Sequence, residues 1–190
     1  MMKARSFVTS TVLSKARKGD SMNVQVAIVL GSYSDGDIGA FFGAMRIISA
    51  DERCSNLQIA GHVISCHRNP EELRQFVEQG CEGAKVVIAM GGKALALPGV
   101  IDALLYESGQ AIPVIGVALG EPGSEALRAA QLSIEQLPGA PVILDVTGRC
   151  YSGAEGLVAA LVRIATEGVP PTVTREGKRA LLNFFRNWAA

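Results

Sequence analysis

Charge is scarce in this chain. Asp, Glu, Lys and Arg make up 19% of its 190 residues, and 18 basic side chains cancel 18 acidic ones. A protein that grips duplex nucleic acid usually carries a basic excess or a basic face, and neither is visible here, so nucleic acid is not an expected partner. Long apolar runs are missing too. None approaches the ~20 residues that a bilayer-spanning helix needs, which argues against a membrane protein of that kind. The cysteines Cys54, Cys66, Cys81 and Cys150 show no C-x-x-C spacing. The two histidines do not combine with them into a zinc pattern. They read as reduced thiols of a cytoplasmic protein, with no metal site expected.

What is abundant is apolar residue and glycine: 48% hydrophobic, with 21 glycines. So little charge on one domain's surface suggests that part of that surface is covered by other copies of the chain. The length suits a single domain with a full core. Residues 1–22 differ in texture, with Lys3, Arg5, Lys15, Arg17 and Lys18 set among Ser and Thr and no acid before Asp20. Two readings stand, a transit-like leader and a disordered extension upstream of a start at Met22. The lack of an apolar signal core favours the extension.

Five short runs rich in Val and Ile and bounded by turn residues read as buried strands: Val24–Leu30, Gln58–Ile64, Lys85–Met90, Pro113–Val117 and Pro141–Leu144. Helix-length segments follow them. The clearest is Pro70–Gln79. There Asn69 is expected to cap, Pro70 fits the first helical position, and Glu71 and Glu72 complement the positive helix end. Leu73, Phe76 and Val77 make its apolar stripe, and Gly80 its stop. Further helices are expected after Asp35, Lys93, Pro122 and Ser152. Successive βα units over residues 23–169 predict a three-layer α/β fold, a doubly wound, flavodoxin-like parallel sheet of five strands. Pro170-Pro171 then breaks the pattern, and an extra C-terminal helix is expected from about Thr174. Its Leu181, Leu182, Phe184, Phe185 and Trp188 would cover either the domain's own sheet or another subunit, with the subunit reading slightly ahead.

Three loops follow predicted strands, and in a parallel sheet they gather along one edge, where ligands bind. The first is Gly31-Ser32-Tyr33-Ser34-Asp35. Gly31 is expected to let the backbone turn, Ser32 and Ser34 offer hydroxyls near a helix N-terminus, and Asp35 suits ribose hydroxyls. Taken alone, this loop also reads as a plain helix cap. The second is Ser65-Cys66-His67-Arg68-Asn69-Pro70. Arg68 suits bidentate phosphate contact, and His67 brings an imidazole, the side chain most often used to move a proton. Cys66 has no second histidine to activate it and reads as a packing residue, while His62 reads as structural. The third, from Gly91 and Gly92 to Leu97-Pro98-Gly99, lacks the P-loop spacing. Its glycines would allow close backbone approach to a ligand and its amides would hold an anion. Lys93 either points into the site or lies in solvent. Together the loops suit a phosphorylated sugar beside a proton transfer.

With the three loops in order, the sequence resembles the PurE family of purine biosynthesis, the N5-carboxyaminoimidazole ribonucleotide mutases and phosphoribosylaminoimidazole carboxylases. Gly31, Ser32, Ser34 and Asp35 match its G-S-x-S-D pattern; Ser65, His67, Arg68 and Pro70 match S-A-H-R-T-P; Gly91, Gly92, Leu97, Pro98 and Gly99 match part of its glycine loop. Residues 113–117 and 132–139 also look like family stretches, so the resemblance covers roughly 24–168. It implies that Ser32, Ser65 and Arg68 hold the 5′-phosphate, that Asp35 holds the ribose, and that His67 is the general acid/base. Gly31, Ser34, Cys66, Gly91, Gly92, Lys93 and Leu97 would complete the substrate site. It also implies no metal or organic cofactor, and a homo-octamer with sites between subunits. Arg68 resembles the mutase branch, since the direct carboxylases typically have lysine there. The chain departs from the pattern at Gly36-Asp37, where a tryptophan usually follows the aspartate, at Lys93, and at Ala96, usually histidine. The expected activity is carboxyl transfer on aminoimidazole ribonucleotide. A relative acting on another ribonucleotide and a catalytically silent nucleotide-binding oligomer are the alternatives.

Overall fold

The computed structural model describes residues 23–173 and resolves one five-stranded parallel sheet. The strands are β1 (Val24–Leu30), β2 (Leu57–Val63), β3 (Val86–Gly92), β4 (Val114–Leu119) and β5 (Tyr151–Ser152), in the order β2-β1-β3-β4-β5. The helices are α1 (Asp35–Ala50), α2 (Pro70–Glu78), α3 (Leu97–Glu107), α4 (Glu125–Glu135) and α5 (Gly153–Glu167). The expected segment 1–22 and the expected C-terminal helix lie outside the described residues. Among the described residues, no helix is long and apolar enough to cross a membrane.

Side chains alternate across each strand, so one apolar run feeds two cores. Ala27, Val29, Val87 and Ala89 pack beneath α2, α3 and α4, against Leu73, Val77, Ile101 and Ile134. Val26, Ile28, Leu30, Ile88 and Met90 face the other way, onto Ala44 and Ile48 of α1 and Leu157 and Leu161 of α5. This makes the expected three layers. The order places β1 between β2 and β3, where the direction of winding reverses. β1 and β2 end level, with Leu30 paired to Val63, and β3 runs two residues past Met90, the partner of Leu30 on the other side. Three loops therefore leave the sheet side by side.

The fifth strand requires a correction. The run 141–144 makes only one isolated parallel bridge, Ile143 with Ile115. The chain then leaves the edge in a loop, and β5 resumes the pairing at Tyr151 with Val117 and Ser152 with Ala118. Asp145 builds that loop. Its carboxylate accepts from the amides of Thr147 at 2.8 Å and Arg149 at 2.9 Å, and from the Thr147 hydroxyl at 2.7 Å. These bonds, the Thr147 hydroxyl first, hold its carboxyl below the usual range. Asn69 also differs from expectation, because it stands at the cap position of α2 without a side-chain bond to the helix.

His62 is structural, as expected. Its ring packs on Phe76 at 4.8 Å between centroids, and its Nε2 lies 3.6 Å from Glu82 Oε2, beyond hydrogen-bond length. Burial pushes its pKa down, with Glu82 opposing. A histidine kept neutral by folding takes up its proton more readily in the unfolded chain. Stability is therefore full above the unfolded pKa of about 6.5 and declines as pH falls below it. His62→Gln should flatten that decline between about pH 7 and 5, read as urea midpoints at each pH.

Gly156 supplies the second test. A Cβ there would lie 2.9 Å from the Tyr151 carbonyl carbon and 3.2 Å from Tyr151 Cβ. Alanine normally improves a helix interior over glycine by about 1 kcal/mol. Here it forces α5 off β5, an overpacking cost of about 1–3 kcal/mol, so Gly156→Ala should lower rather than raise the melting temperature.

Candidate active site

The loop after β1 is fixed by backbone first. The Gly31 amide donates to the Met90 carbonyl at 2.9 Å, and the Ile64 amide to the Leu30 carbonyl at 3.0 Å, so the ladder runs one residue past the strands on both sides. Gly31 does not take a positive φ, and a Cβ there would meet Leu97 Cδ2 and the Met90 carbonyl oxygen at 3.7 Å, an ordinary contact. Its expected role as a turn-maker is therefore not what the structure uses. Ser34 caps α1, accepting from the Asp37 amide at 3.2 Å. Asp35 opens that helix. The Ser32 hydroxyl donates to the carboxylate of Asp37, which is 9% exposed.

The loop after β2 is organised by Ser65, which is 7% exposed. Its hydroxyl accepts from the amides of His67 at 3.4 Å and Arg68 at 3.3 Å, and its carbonyl from the Asn69 amide at 2.8 Å. This is a capping pattern one turn ahead of α2, and it makes the side-chain bond that Asn69 does not. The Ser65 proton is left to donate elsewhere. Arg68 reaches across to the first loop, its Nη2 donating to the Gly31 carbonyl at 3.2 Å. Both loops bound one open pocket of about 540 Å³, lined by Gly31, Ser32, Tyr33, Ser34, Val63, Ser65, Arg68 and Asn69.

His67 is exposed beside this pocket rather than in its lining. Cys66 is half-buried and packs against the core under α2, and burial pushes its thiol pKa up, as suits a packing residue rather than a nucleophile. The third loop stands next to the first without lining the pocket. The space around its glycines is taken by protein: a Cβ on Gly91 would lie 2.8 Å from Leu95 Cδ1, and one on Gly92 3.1 Å from the Leu119 carbonyl oxygen. Lys93 takes a left-handed φ of 50° and is exposed. Leu97 is 1% exposed and anchors the start of α3 in the core. Gly91, Gly92 and Leu97 thus position the loop by packing.

The model of the AIR carboxylase family matches residues 25–167. The chain belongs to the AIR carboxylase family. It is 34% identical over 143 residues to the N5-carboxyaminoimidazole ribonucleotide mutase of Brucella melitensis, covering 74% of this chain and 81% of that protein. It is 30% identical over 145 residues to the enzyme of the same name from Haemophilus influenzae, covering 75% and 80%. The Escherichia coli K12 mutase is 34% identical over 140 residues, covering 73% and 76%. A crystal structure of Treponema denticola PurE aligns with a TM-score of 0.40 and 18% identity, over 75% of this chain and 89% of that one.

Family membership draws attention to what the motifs alone did not single out. Tyr33, Val63 and Asn69 line the pocket, and Asp37 binds the serine at its wall. Asp37 had a readable signal. Ser34-x-x-Asp37 has the form of a helix capping box, although this carboxylate reaches Ser32 rather than the cap amide. Tyr33 and Val63 had none, because lining by a side chain depends on where neighbouring loops stop.

Proposed function

We propose that this AIR carboxylase family member transfers a carboxyl group on aminoimidazole ribonucleotide in purine biosynthesis, converting the N5-carboxy form to the 4-carboxy form. The observation that carries the reading is the Ser65–Arg68 turn. It sets a guanidinium and a hydroxyl with a free proton on the pocket wall, with an imidazole alongside in the loop that follows β2. In this reading Arg68 and Ser65 anchor the 5′-phosphate, Ser32 stands on the same wall, and Asp35 takes the ribose. The mutase names of the relatives above support the same reaction.

The chemistry asks for confinement and one proton shuttle. The N–C bond of the carbamate breaks, carbon dioxide is released, and the nitrogen regains a proton. Carbon 4 of the base then attacks carbon dioxide, and its hydrogen must leave to restore the aromatic ring. His67 carries that proton as general base and returns it as general acid, a role worth about 10²–10⁴ in rate. Keeping carbon dioxide beside the base avoids a bimolecular encounter. In this reading the working form is a homo-oligomer larger than a dimer, as the exposed Phe42, Ile47 and Tyr106 support.

Two variants test the assignment against both ribonucleotides, with product absorbance as the readout. His67→Asn should keep fold and nucleotide affinity while turnover falls by about 10² or more. Normal turnover by the variant, or no activity in the unmutated protein, ends the mutase reading. Arg68→Ala should weaken ribonucleotide binding by about 1.5–3 kcal/mol, the range for a hydrogen bond to a charged group. An unchanged affinity by calorimetry would remove the guanidinium from the site.

A further inference from the structure

We propose that Asp37 sets which group of the ligand Ser32 receives: the carboxylate takes the serine's only proton and fills the anion position at the start of α1, so Ser32 meets the ligand as an acceptor, and the phosphate is left to Ser65 and Arg68. This rests on the ribonucleotide reading above and deepens it.

The argument begins with proton counting. A hydroxyl has one proton and two lone pairs, and the Ser32 proton is directed at Asp37. A phosphate dianion offers acceptors only, so it binds Ser32 only by breaking that bond. A sugar hydroxyl has a proton to give, and fits Ser32 as it stands. Charge points the same way. A helix N-terminus attracts anions through its unpaired amides and its dipole. At α1 that place is occupied from within, since Asp37 stands in the first turn, at the third helical position after the Ser34 cap. Asp37 is 9% exposed and stands behind the pocket wall rather than in the lining, so water screens it poorly from an anion at Ser32. The second loop also leads into acids, Glu71 and Glu72 in the first turn of α2, but both are exposed to screening water and neither bonds Ser65. There Ser65 keeps its proton and the Arg68 guanidinium spends one donor on the Gly31 carbonyl.

The test is calorimetry with aminoimidazole ribonucleotide and with its dephosphorylated nucleoside, on the unmutated chain, Asp37→Asn and Asp37→Ala. Asparagine keeps an acceptor for Ser32 and removes only the charge, so it remains readable if alanine unsettles the helix start. Asp37→Ala should bind the ribonucleotide about tenfold or more tightly, Asp37→Asn should gain less because its amide oxygen still takes the serine proton, and neither should gain affinity for the nucleoside. Ribonucleotide affinity that is unchanged or weaker in both, with Arg68→Ala still impaired, overturns this inference and leaves the site reading standing. A gain for the nucleoside equal to that for the ribonucleotide also overturns it. If no protein binds the ribonucleotide and Arg68→Ala changes nothing, the site reading fails and takes this inference with it.

Discussion

The level ending of β1 and β2 is the constraint on which the site depends. Parallel pairing fixes register, and here β1 and β2 stop together at Leu30 and Val63, while β3 runs two residues past Met90, the partner of Leu30, to Gly92. A register shift of one residue on any of them would send its loop to another height and turn its core side chains to the opposite face. The Gly31 amide on Met90 and the Ile64 amide on Leu30 extend the same ladder into the loops. Ser32 and Ser65 therefore each stand one residue beyond a paired backbone amide, and the pocket forms between the loops that follow β1 and β2.

Around that frame the loops divide two electrostatic tasks. The Ser65 turn gathers amides around a hydroxyl and turns a cation toward the pocket. The Ser32 turn faces an internal carboxylate. Two serines in similar motifs, both after strands and both near helix starts, thus present opposite hydrogen-bonding faces. The difference comes from one residue, Asp37, that belongs to neither motif. It also accounts for the Arg68 contact with the Gly31 carbonyl being the bond that joins the two loops, since each serine is already engaged by groups of its own loop.

Most of the fold was legible because β1, β3 and β4 are largely buried and read as apolar runs, and the edge strand β2, though only partly buried, still carries Leu57, Ile59 and Val63. β1 stands at the expected residues, and β2, β3 and β4 within one or two. The fifth was misplaced for a physical reason. At the sheet edge, pairing can be interrupted, and the Asp145 loop separates Ile143 from Tyr151 by seven residues that sequence pattern reads as turn. The motif residues of the first two loops were legible as a set. The reasons for the glycines were not. Gly31, Gly91 and Gly92 read as conformational or ligand-facing, whereas the space at Gly91 and Gly92 is filled by Leu95 and Leu119, and the left-handed residue of that loop is Lys93. Sequence shows where a side chain is missing but not what stands in the vacated space.

The proposed reaction also sets a requirement that these two loops alone do not meet. Carbon dioxide released in an open cleft exchanges with solvent faster than a weak carbon nucleophile can capture it, so the site must exclude water while it works. Tyr33, Ser34, Arg68 and Asn69 all line the pocket and are all exposed. The third loop closes no wall, because Leu97 and Pro98 pin it into the core on the far side of Gly31. Enclosure must therefore come from outside the elements that build the pocket. A second copy of the chain meets that need without any rearrangement of this one, and it would bury the apolar Val63 and Tyr33 surface that is now 40% and 78% exposed. Under the proposed reaction, low charge density, an open pocket and an apolar rim would share one cause, a chamber closed by another copy of the chain.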